Sequence, residues 1–435
     1  MNKPDLLIVG AGPAGLGAAV EAVEHGLSVM LLDENPAPGG RIWQALETRG
    51  AKDAEDAAAL ALIQRFRAGT TQTHYGATVW AIEPDGQVFW SDAEGAHCVS
   101  ADVVLLATGT TERPMPISGW TLPGVMTVGA AQIALKTGGL LPDSRAWVAG
   151  QGPLLSLYAN QVLDAGGRIG GVIDLSDGFA AVRALRHLTL AALPDVRRGL
   201  GWRRRLSEAG VRWIAASDLR AEGETNLCAV SFRAGAGWQT EPADLLLLHD
   251  GVIPSVPITR ALGCAHRWSD AQRCWYPATD GIGRTSVPGV LVAGDGAGIG
   301  GAQSAVLSGR IAVAGLVGAD ATALKEERVK ALAARPLLDA LFAPRPMRLD
   351  DSTLVCRCEE VSAGAVRQAA RTGCQGMNQL KAYTRCGMGP CQGRMCGAVA
   401  IEVLAEARNV PVSAIEPLRT RFPTKPIPVG DLITL

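Results

Sequence analysis

Short apolar runs mark the chain as far as Ala293: Leu6–Gly10, Ser28–Asp33, Val103–Ala107, Ala146–Gly150, Arg168–Asp174, Leu245–Leu248 and Val290–Ala293. Between them lie stretches of helical character after Gly12, through Ala57–Phe66, and along the small-residue segment Ala302–Val317. Strands alternating with helices predict an α/β fold with a parallel, doubly wound sheet. The alternation starts afresh at about residue 126 and returns to apolar strands at 243, which separates segments 1–125, 126–242 and 243–320. Residues 321–341 then read as one amphipathic helix with Lys325, Glu326, Glu327 and Arg328 on its wet side. With the stiff Ala343-Pro344-Arg345-Pro346 it makes a helical linker over 321–350. A cysteine-rich segment follows over 351–407. The tail, 408–435, carries Pro411, Pro417, Pro423, Pro426 and Pro428, too many for a helix, and is expected to lie extended across another surface.

Composition narrows the partners. Lys plus Arg number 41 against 42 for Asp plus Glu, a net charge of -1, so nucleic acid loses its electrostatic driver. Mean hydropathy is +0.15, high enough to raise the question of a membrane. The longest suspect stretch, Leu6–Val20, holds five glycines or prolines and falls short of the about 20 apolar residues a span needs. It also lacks the basic start and cleavage site of a signal peptide. The expectation is a cytoplasmic protein, at most peripheral at the inner face of a membrane, whose extra hydrophobicity serves partner subunits.

Candidate chemistry begins at Gly10-Ala11-Gly12-Pro13-Ala14-Gly15, which follows an apolar strand and opens a helix. Gly10 permits the tight turn, Gly12 lets backbone N–H groups approach a pyrophosphate, and Gly15 allows close helix–strand packing. The helix N-terminus adds partial positive charge toward that phosphate. Asp33, with Glu34 beside it, ends the next strand 18 residues past Gly15, where a carboxylate accepts from ribose hydroxyls. Pro38-Gly39-Gly40-Arg41 follows, its glycines letting the chain pass near a bound cofactor. Downstream, Val292-Ala293-Gly294-Asp295 presents a carboxylate at a strand end.

In these features residues 1–320 resemble the two-dinucleotide-domain FAD oxidoreductases of the glutathione and thioredoxin reductase superfamily. The resemblance implies that 1–125 and 243–320 form an FAD-binding domain around an inserted second Rossmann-like domain, 126–242. It implies that Asp295, after Gly294, bonds the flavin ribitol and that Thr108-Gly109 closes the first half. It further places Val79 at the adenine and Ala302, at the last helix start, against the isoalloxazine.

The inserted domain carries Gly150-Gln151-Gly152-Pro153-Leu154-Leu155, in which Leu155 replaces the third glycine. Its side chain is expected to push helix from strand, which favours a retained fold with an idle or repurposed pocket, although Asp174 still sits where a ribose-binding acid would. Replacing Leu155 by Gly should raise nucleotide affinity if the pocket is merely obstructed. Nothing between Gly40 and Arg49 is cysteine, so a redox dithiol beside the flavin is missing.

Six of the ten cysteines fall between Cys356 and Cys396, a clustering that points to metal in a reducing compartment. Cys356-Arg357-Cys358 is followed by Cys386-Gly387-Met388-Gly389-Pro390-Cys391, and four thiolates so paired suit either tetrahedral zinc or an iron–sulfur cluster. Neither pair has the spacing of a zinc knuckle, and no histidine occurs from 351 onward. The segment resembles the bacterioferritin-associated-ferredoxin-like [2Fe–2S] domain, which implies ligation by Cys356, Cys358, Cys386 and Cys391. Cys374 and Cys396 lie outside that pattern and are expected to be buried thiols.

Of six histidines only His249, at a strand end before Asp250-Gly251, looks placed near the flavin. A histidine in such a turn is more often structural, and no catalytic residue is assigned. Thr108-Gly109-Thr110-Thr111-Glu112-Arg113-Pro114, Gly119-Trp120-Thr121-Leu122-Pro123-Gly124-Val125, Cys274-Trp275-Tyr276-Pro277 and Pro417-Leu418-Arg419-Thr420-Arg421-Phe422-Pro423 resemble the A (alpha) subunits of heteromeric amine and imino-acid dehydrogenases. Opine oxidases, D-hydroxyproline dehydrogenase, dye-linked proline dehydrogenase and hydrogen cyanide synthase belong there. The resemblance spans the chain and adds Arg113 to the cofactor-binding residues. It implies a D-amino-acid-oxidase-type flavoprotein partner (beta) that oxidises the substrate, and an electron-relaying role for this chain. It also leaves room for FMN at a subunit interface, an adenine nucleotide in the second domain and a small additional iron–sulfur subunit. Two alternatives stay open: a stand-alone NAD(P)H-dependent iron–sulfur flavoprotein reductase, and a non-catalytic assembly subunit.

Overall fold

The computed structural model describes residues 3–143 and 145–433. Its first sheet is fully parallel, in the order Val290–Val292, Val103–Leu106, Leu6–Val9, Val29–Asp33, Gln72–Tyr75. The middle strands are apolar at every position because both faces are covered. Leu6, Ile8, Leu31 and Leu105 point into a core shared with the helices Pro13–Glu24 and Ala302–Val317. Leu7, Val9, Met30, Leu32 and Leu106 point the other way, onto an antiparallel layer of Thr78–Ile82, Gln87–Asp92 and Gly95–Ser100. Small residues let the two helices touch backbone to backbone: a Cβ on Gly309 would stand 2.0 Å from the Ala14 carbonyl oxygen. Arg310 then pairs with Glu21 at 2.7 Å across the crossing.

The second sheet repeats the plan in the order Arg212–Ala215, Gly171–Asp174, Ala146–Gln151, Leu245–Asp250, Val125–Thr127. Leu245–Asp250 pairs with Ala146–Gln151, so the second unit reaches past residue 243, where the apolar pattern had returned the chain to the first. An apolar run buried on both faces carries no mark of which sheet it joins. Residues 321–341 likewise form two helices, Thr322–Ala331 and Arg335–Leu341, with Pro336 in the first turn of the second.

The third unit packs a short strand pair, Leu354–Cys356 with Val361–Ser362, against helices Ala363–Arg371, Met377–Thr384 and Gly397–Arg408. Trp120 Nε1 donates to the Leu354 carbonyl at 2.8 Å, and Arg273 pairs with the buried Glu402 at 2.9 Å, which docks this unit on the other two. The tail crosses the first unit, where Phe422 packs against the core of Val9, Leu32 and Val79. Among the described residues no helix is long and apolar enough to cross a membrane.

Candidate cofactor sites

The strand Leu6–Val9 runs into Gly10, whose φ is 108° and where a Cβ would stand 2.5 Å from the Ala107 carbonyl oxygen. Only glycine fits that turn. The helix Pro13–Glu24 starts from Gly12 with no side-chain cap, leaving first-turn N–H groups for an external acceptor. A Cβ on Gly15 would lie 1.8 Å from the Gly10 carbonyl oxygen, so the helix rests directly on the turn. In front of Gly12 only the Gly40 Cα comes near, 3.9 Å from where a Cβ would be. The Gly39 N–H donates to the Ala11 carbonyl at 2.8 Å and carries the Pro38–Arg41 loop over this opening.

Asp33 lies behind the loop and is buried. Its Oδ2 accepts from the Ala11 N–H, and its Oδ1 accepts from the Asn35 N–H at 2.6 Å and Asn35 Nδ2 at 2.7 Å. Burial pushes its carboxyl above the usual range, with those donors pulling the other way. The exposed acid is the next residue, Glu34, which pairs with Lys425 of the tail and with Arg41 at 3.6 Å. Partial burial works to raise Glu34, but Lys425, Arg41 and Arg394 outweigh it and hold the carboxyl below its usual value. Val79 is buried in the strand beside them.

Thr108 and Gly109 meet the strand end of the third segment. Thr108 Oγ1 donates to the Ser255 carbonyl at 3.3 Å, and a Cβ on Gly296 would sit 3.5 Å from the Gly109 oxygen. A Cβ on Gly294 would come within 2.7 Å of the Ala14 methyl. Asp295 Oδ1 accepts from the N–H groups of Gly300 and Gly301 at 2.9 and 3.0 Å, and among the described residues Oδ2 accepts no hydrogen bond. Asp295, Ala302 and Trp43 line a cavity of about 2020 Å³ that reaches Gly152, Asp174 and Trp213 of the second unit. Trp43 Nε1 is buried there with no protein partner among the described residues. Arg113 is buried and directed elsewhere: its terminal nitrogens donate to the carbonyls of Arg273 and Gln272 at 3.1 and 2.6 Å.

In the second loop a Cβ on Gly150 would stand 1.8 Å from the His249 carbonyl oxygen, and one on Gly152 would stand 3.4 Å from the His249 ring. The loop is thus backed by His249, whose Nδ1 lies 2.6 Å from Glu112 Oε1, and Glu112 in turn accepts from the Gly129 N–H. His249 therefore sits behind the second loop, on the second sheet, rather than beside the flavin position. Leu155 is buried with Val128, Val148 and Tyr158, as a core residue of the unit. Asp174 is engaged on both oxygens: Oδ1 accepts from Ser176 N–H and Oγ at 2.9 and 2.6 Å, and Oδ2 accepts from Trp213 Nε1 at 2.9 Å.

The thiols converge more fully than their spacing suggested. The Sγ atoms of Cys356, Cys386 and Cys396 all lie within 4.8 Å of one another, and all three residues are buried. Cys391 is hydrogen-bonded to Cys396 and Cys358, so five thiols meet. Cys396, expected as a bystander, is at the centre, whereas Cys374 is a buried thiol bonded at 3.4 Å to the Gly376 carbonyl. The Cys396 hydrogen bond, with backbone N–H groups of Met395 and Gly393, outweighs burial and brings the Cys391 thiol down to about 4. Cys396 is pushed in the opposite direction by its bonds to Cys386 and Cys391. A buried, all-sulfur donor set with a ready thiolate fits a soft metal or iron–sulfur cluster.

Comparison with known proteins agrees with this architecture. The sequence profile of the family described as Pyridine nucleotide-disulphide oxidoreductase matches residues 4–309, and that of the Sarcosine oxidase A3 domain matches residues 350–434. The A-type (alpha) component of opine oxidase from Rhizobium meliloti (strain 1021) is 40% identical, with 100% of this chain and 99% of that protein covered. This chain belongs to the pyridine nucleotide-disulphide oxidoreductase family, among the alpha subunits of heteromeric oxidases. Hydrogen cyanide synthase subunit HcnB of Pseudomonas aeruginosa is 32% identical, with 97% of each chain covered. The solved L-proline dehydrogenase from P. horikoshii shares the fold, with a TM-score of 0.75 at 20% identity over 99% of this chain and 79% of that one.

As an alpha subunit of this family the chain is a flavoprotein, and the first loop has what FAD requires. The glycine cradle is open only in front of Gly12, the helix end is uncapped, and Asp295 offers an acceptor to the same cavity as Ala302. Two contributors were not expected from the sequence. Cys396 had a signal, since Cys391 and Cys396 repeat the four-residue gap of Cys386 and Cys391. Lys425 had none, because nothing local ties a proline-rich tail to a residue near the start of the chain.

Proposed function

We propose that this chain is the electron-relay subunit of a heteromeric dehydrogenase that oxidises the C–N bond of an amino or imino acid of the opine or D-hydroxyproline type. The substrate is oxidised on a partner flavoprotein subunit of the D-amino-acid-oxidase type, and the electrons leave to an acceptor other than NAD. One observation carries the reading: an open dinucleotide loop and a five-thiol centre share a chain whose second dinucleotide loop is plugged by Leu155 and backed by His249. The thiols of Cys356, Cys358, Cys386 and Cys391, with Cys396 among them, would hold a [2Fe–2S] cluster. FAD takes electrons in pairs and such a cluster passes them singly. This chain's residues bind and shield: the Gly10–Gly15 loop would seat the pyrophosphate, Asp295 would orient the ribitol, and the third unit's core keeps water from Cys356, Cys386 and Cys396. Subunit contact is supported by Ile42, Leu141, Leu185, Leu188 and Leu200, large apolar residues that are exposed around the mouth of the cavity beside Asp295. That interdomain cavity is where FMN or an adenine nucleotide would lie.

The cavity's reach to Gly152 and Asp174 favours one second reading, an NAD(P)H-dependent iron–sulfur flavoprotein reductase. Anaerobic absorbance titration of the purified chain with NADH and NADPH separates the two. The relay reading expects flavin and cluster bands to stay oxidised, then to bleach when an opine or D-hydroxyproline is added to the complex with its partner. Stoichiometric bleaching by NAD(P)H alone would instead make the second loop an electron entry.

A further inference from the structure

The tail segment 418–425 joins two sites that lie far apart in sequence. At one end it rests on the cysteine loop. A Cβ on either Gly387 or Gly393 would come within 2.6 Å of Leu418 Cδ1, and the Arg419 N–H donates to Asn378 Oδ1 at 3.1 Å. Two residues lying between Cys391 and Cys396 then hold its middle: Gln392 Nε2 donates to the Pro423 carbonyl at 2.9 Å, and Arg394 donates to the Thr424 carbonyl at 3.0 Å. At the other end the Thr424 N–H donates to the Trp80 carbonyl at 2.8 Å, and Lys425 Nζ pairs with Glu34. Trp80 follows Val79 and Glu34 follows Asp33, the two positions expected at the adenosine half of a dinucleotide in the first loop. Thr424 is buried in this seam.

We propose that 418–425 is a strap closing the adenosine end of the FAD site, and that Gln392 and Arg394 of the cysteine loop are positioning residues for FAD retention. The inference rests on the assignment of the first loop to FAD. The physical argument is one of tethering. An extended, proline-rich segment makes few contacts of its own, so its position is set by the groups that fix its ends. Removing either fixing point releases the same segment, and the effects of the two should not add.

The test measures FAD release from the full purified chain by recovery of flavin fluorescence on dilution, with visible absorbance of the thiol centre and thermal midpoint recorded in parallel. Lys425→Met removes a half-exposed ion pair and is expected to speed release about threefold to fivefold. Arg394→Gln is expected to speed it about tenfold, since it removes a charge-assisted bond to the strap. The double variant should match the larger single effect, and Lys425→Arg should restore wild-type release. Unchanged release in both single variants overturns the strap, as does a fall in thermal midpoint with release unaltered. If Arg394→Gln does not fold, Lys425→Met with its Lys425→Arg rescue decides alone. A wild-type chain that binds no FAD overturns the FAD assignment itself, an outcome distinct from FAD bound and indifferent to the tail.

Discussion

Gly10 and Gly150 hold the same station in the two sheets. Each ends the central strand with positive φ, and each would drive a Cβ into a carbonyl of the neighbouring strand, Ala107 in the first unit and His249 in the second. Two residues further on the loops diverge. Gly12 faces open space, whereas Gly152 has an imidazole behind it, fixed by Glu112. Five residues on, Gly15 brings its helix onto the turn, and Leu155 instead fills the core between helix and sheet. The turn can thus be preserved for folding while the opening that admits a pyrophosphate is lost. The tight turn belongs to the sheet, and the opening belongs to the ligand.

The strongest way to break the contrast is to give the first loop the residue of the second. Gly15→Leu would force a side chain where a single Cβ already lies 1.8 Å from the Gly10 oxygen. Overpacking of this kind costs about 1–3 kcal/mol or more, and the purified variant is expected to lack flavin absorbance. The reverse exchange, Leu155→Gly, removes a core side chain and places glycine in a helix, for a loss of about 3 kcal/mol or more in unfolding free energy. The thermal midpoint should fall with no gain in NADH affinity, because Asp174 stays engaged by Ser176 and Trp213. A gain in affinity would show that the pocket was merely obstructed.

Asp33 sharpens the comparison through pH. Burial raises its carboxyl in the folded chain, so the folded state holds that proton more tightly than the unfolded one. Stability from this group is present at low pH and is lost as pH rises through the folded value. Asp33→Asn does not titrate. Its stability relative to wild type is expected to climb between about pH 4 and 7 in denaturant melts, and a flat difference would mean that Asp33 ionises freely. The smallest effect is expected from Trp213→Phe, which removes one hydrogen bond to Asp174, worth about 0.5–1.5 kcal/mol net. Calorimetry with an adenine nucleotide should show whether freeing this acid alone lets the second loop bind.

Much of the architecture was legible in the chain. The two glycine loops, the alternation of apolar runs with helices and the cysteine pairs each depend on near neighbours, and each stands where the pattern put it. The departures have a common origin. Leu245–Asp250 joined the second sheet, Pro336 divided one amphipathic segment into two helices, and Arg113 turned to the carbonyls of Gln272 and Arg273. The first and third depend on partners about a hundred residues away or more, while the second follows from a local signal, a proline suited to the first turn of a new helix.

By itself, then, the sequence determined the local stereochemistry of this protein. A glycine fixes a turn because a Cβ would collide with a carbonyl, and that rule holds wherever the turn is placed. Thiols at short spacing can share a centre because the intervening backbone is short enough to bring them together. What only the tertiary structure decided is which distant pieces meet. Cys396 entered the thiol group, His249 came to rest behind the second loop, and a tail near residue 425 was laid against Glu34. Closing a loop of hundreds of residues costs little more than closing one half as long, so chain distance gives almost no guidance. Contact is decided by the buried surfaces that fit, and these exist only once the units have packed.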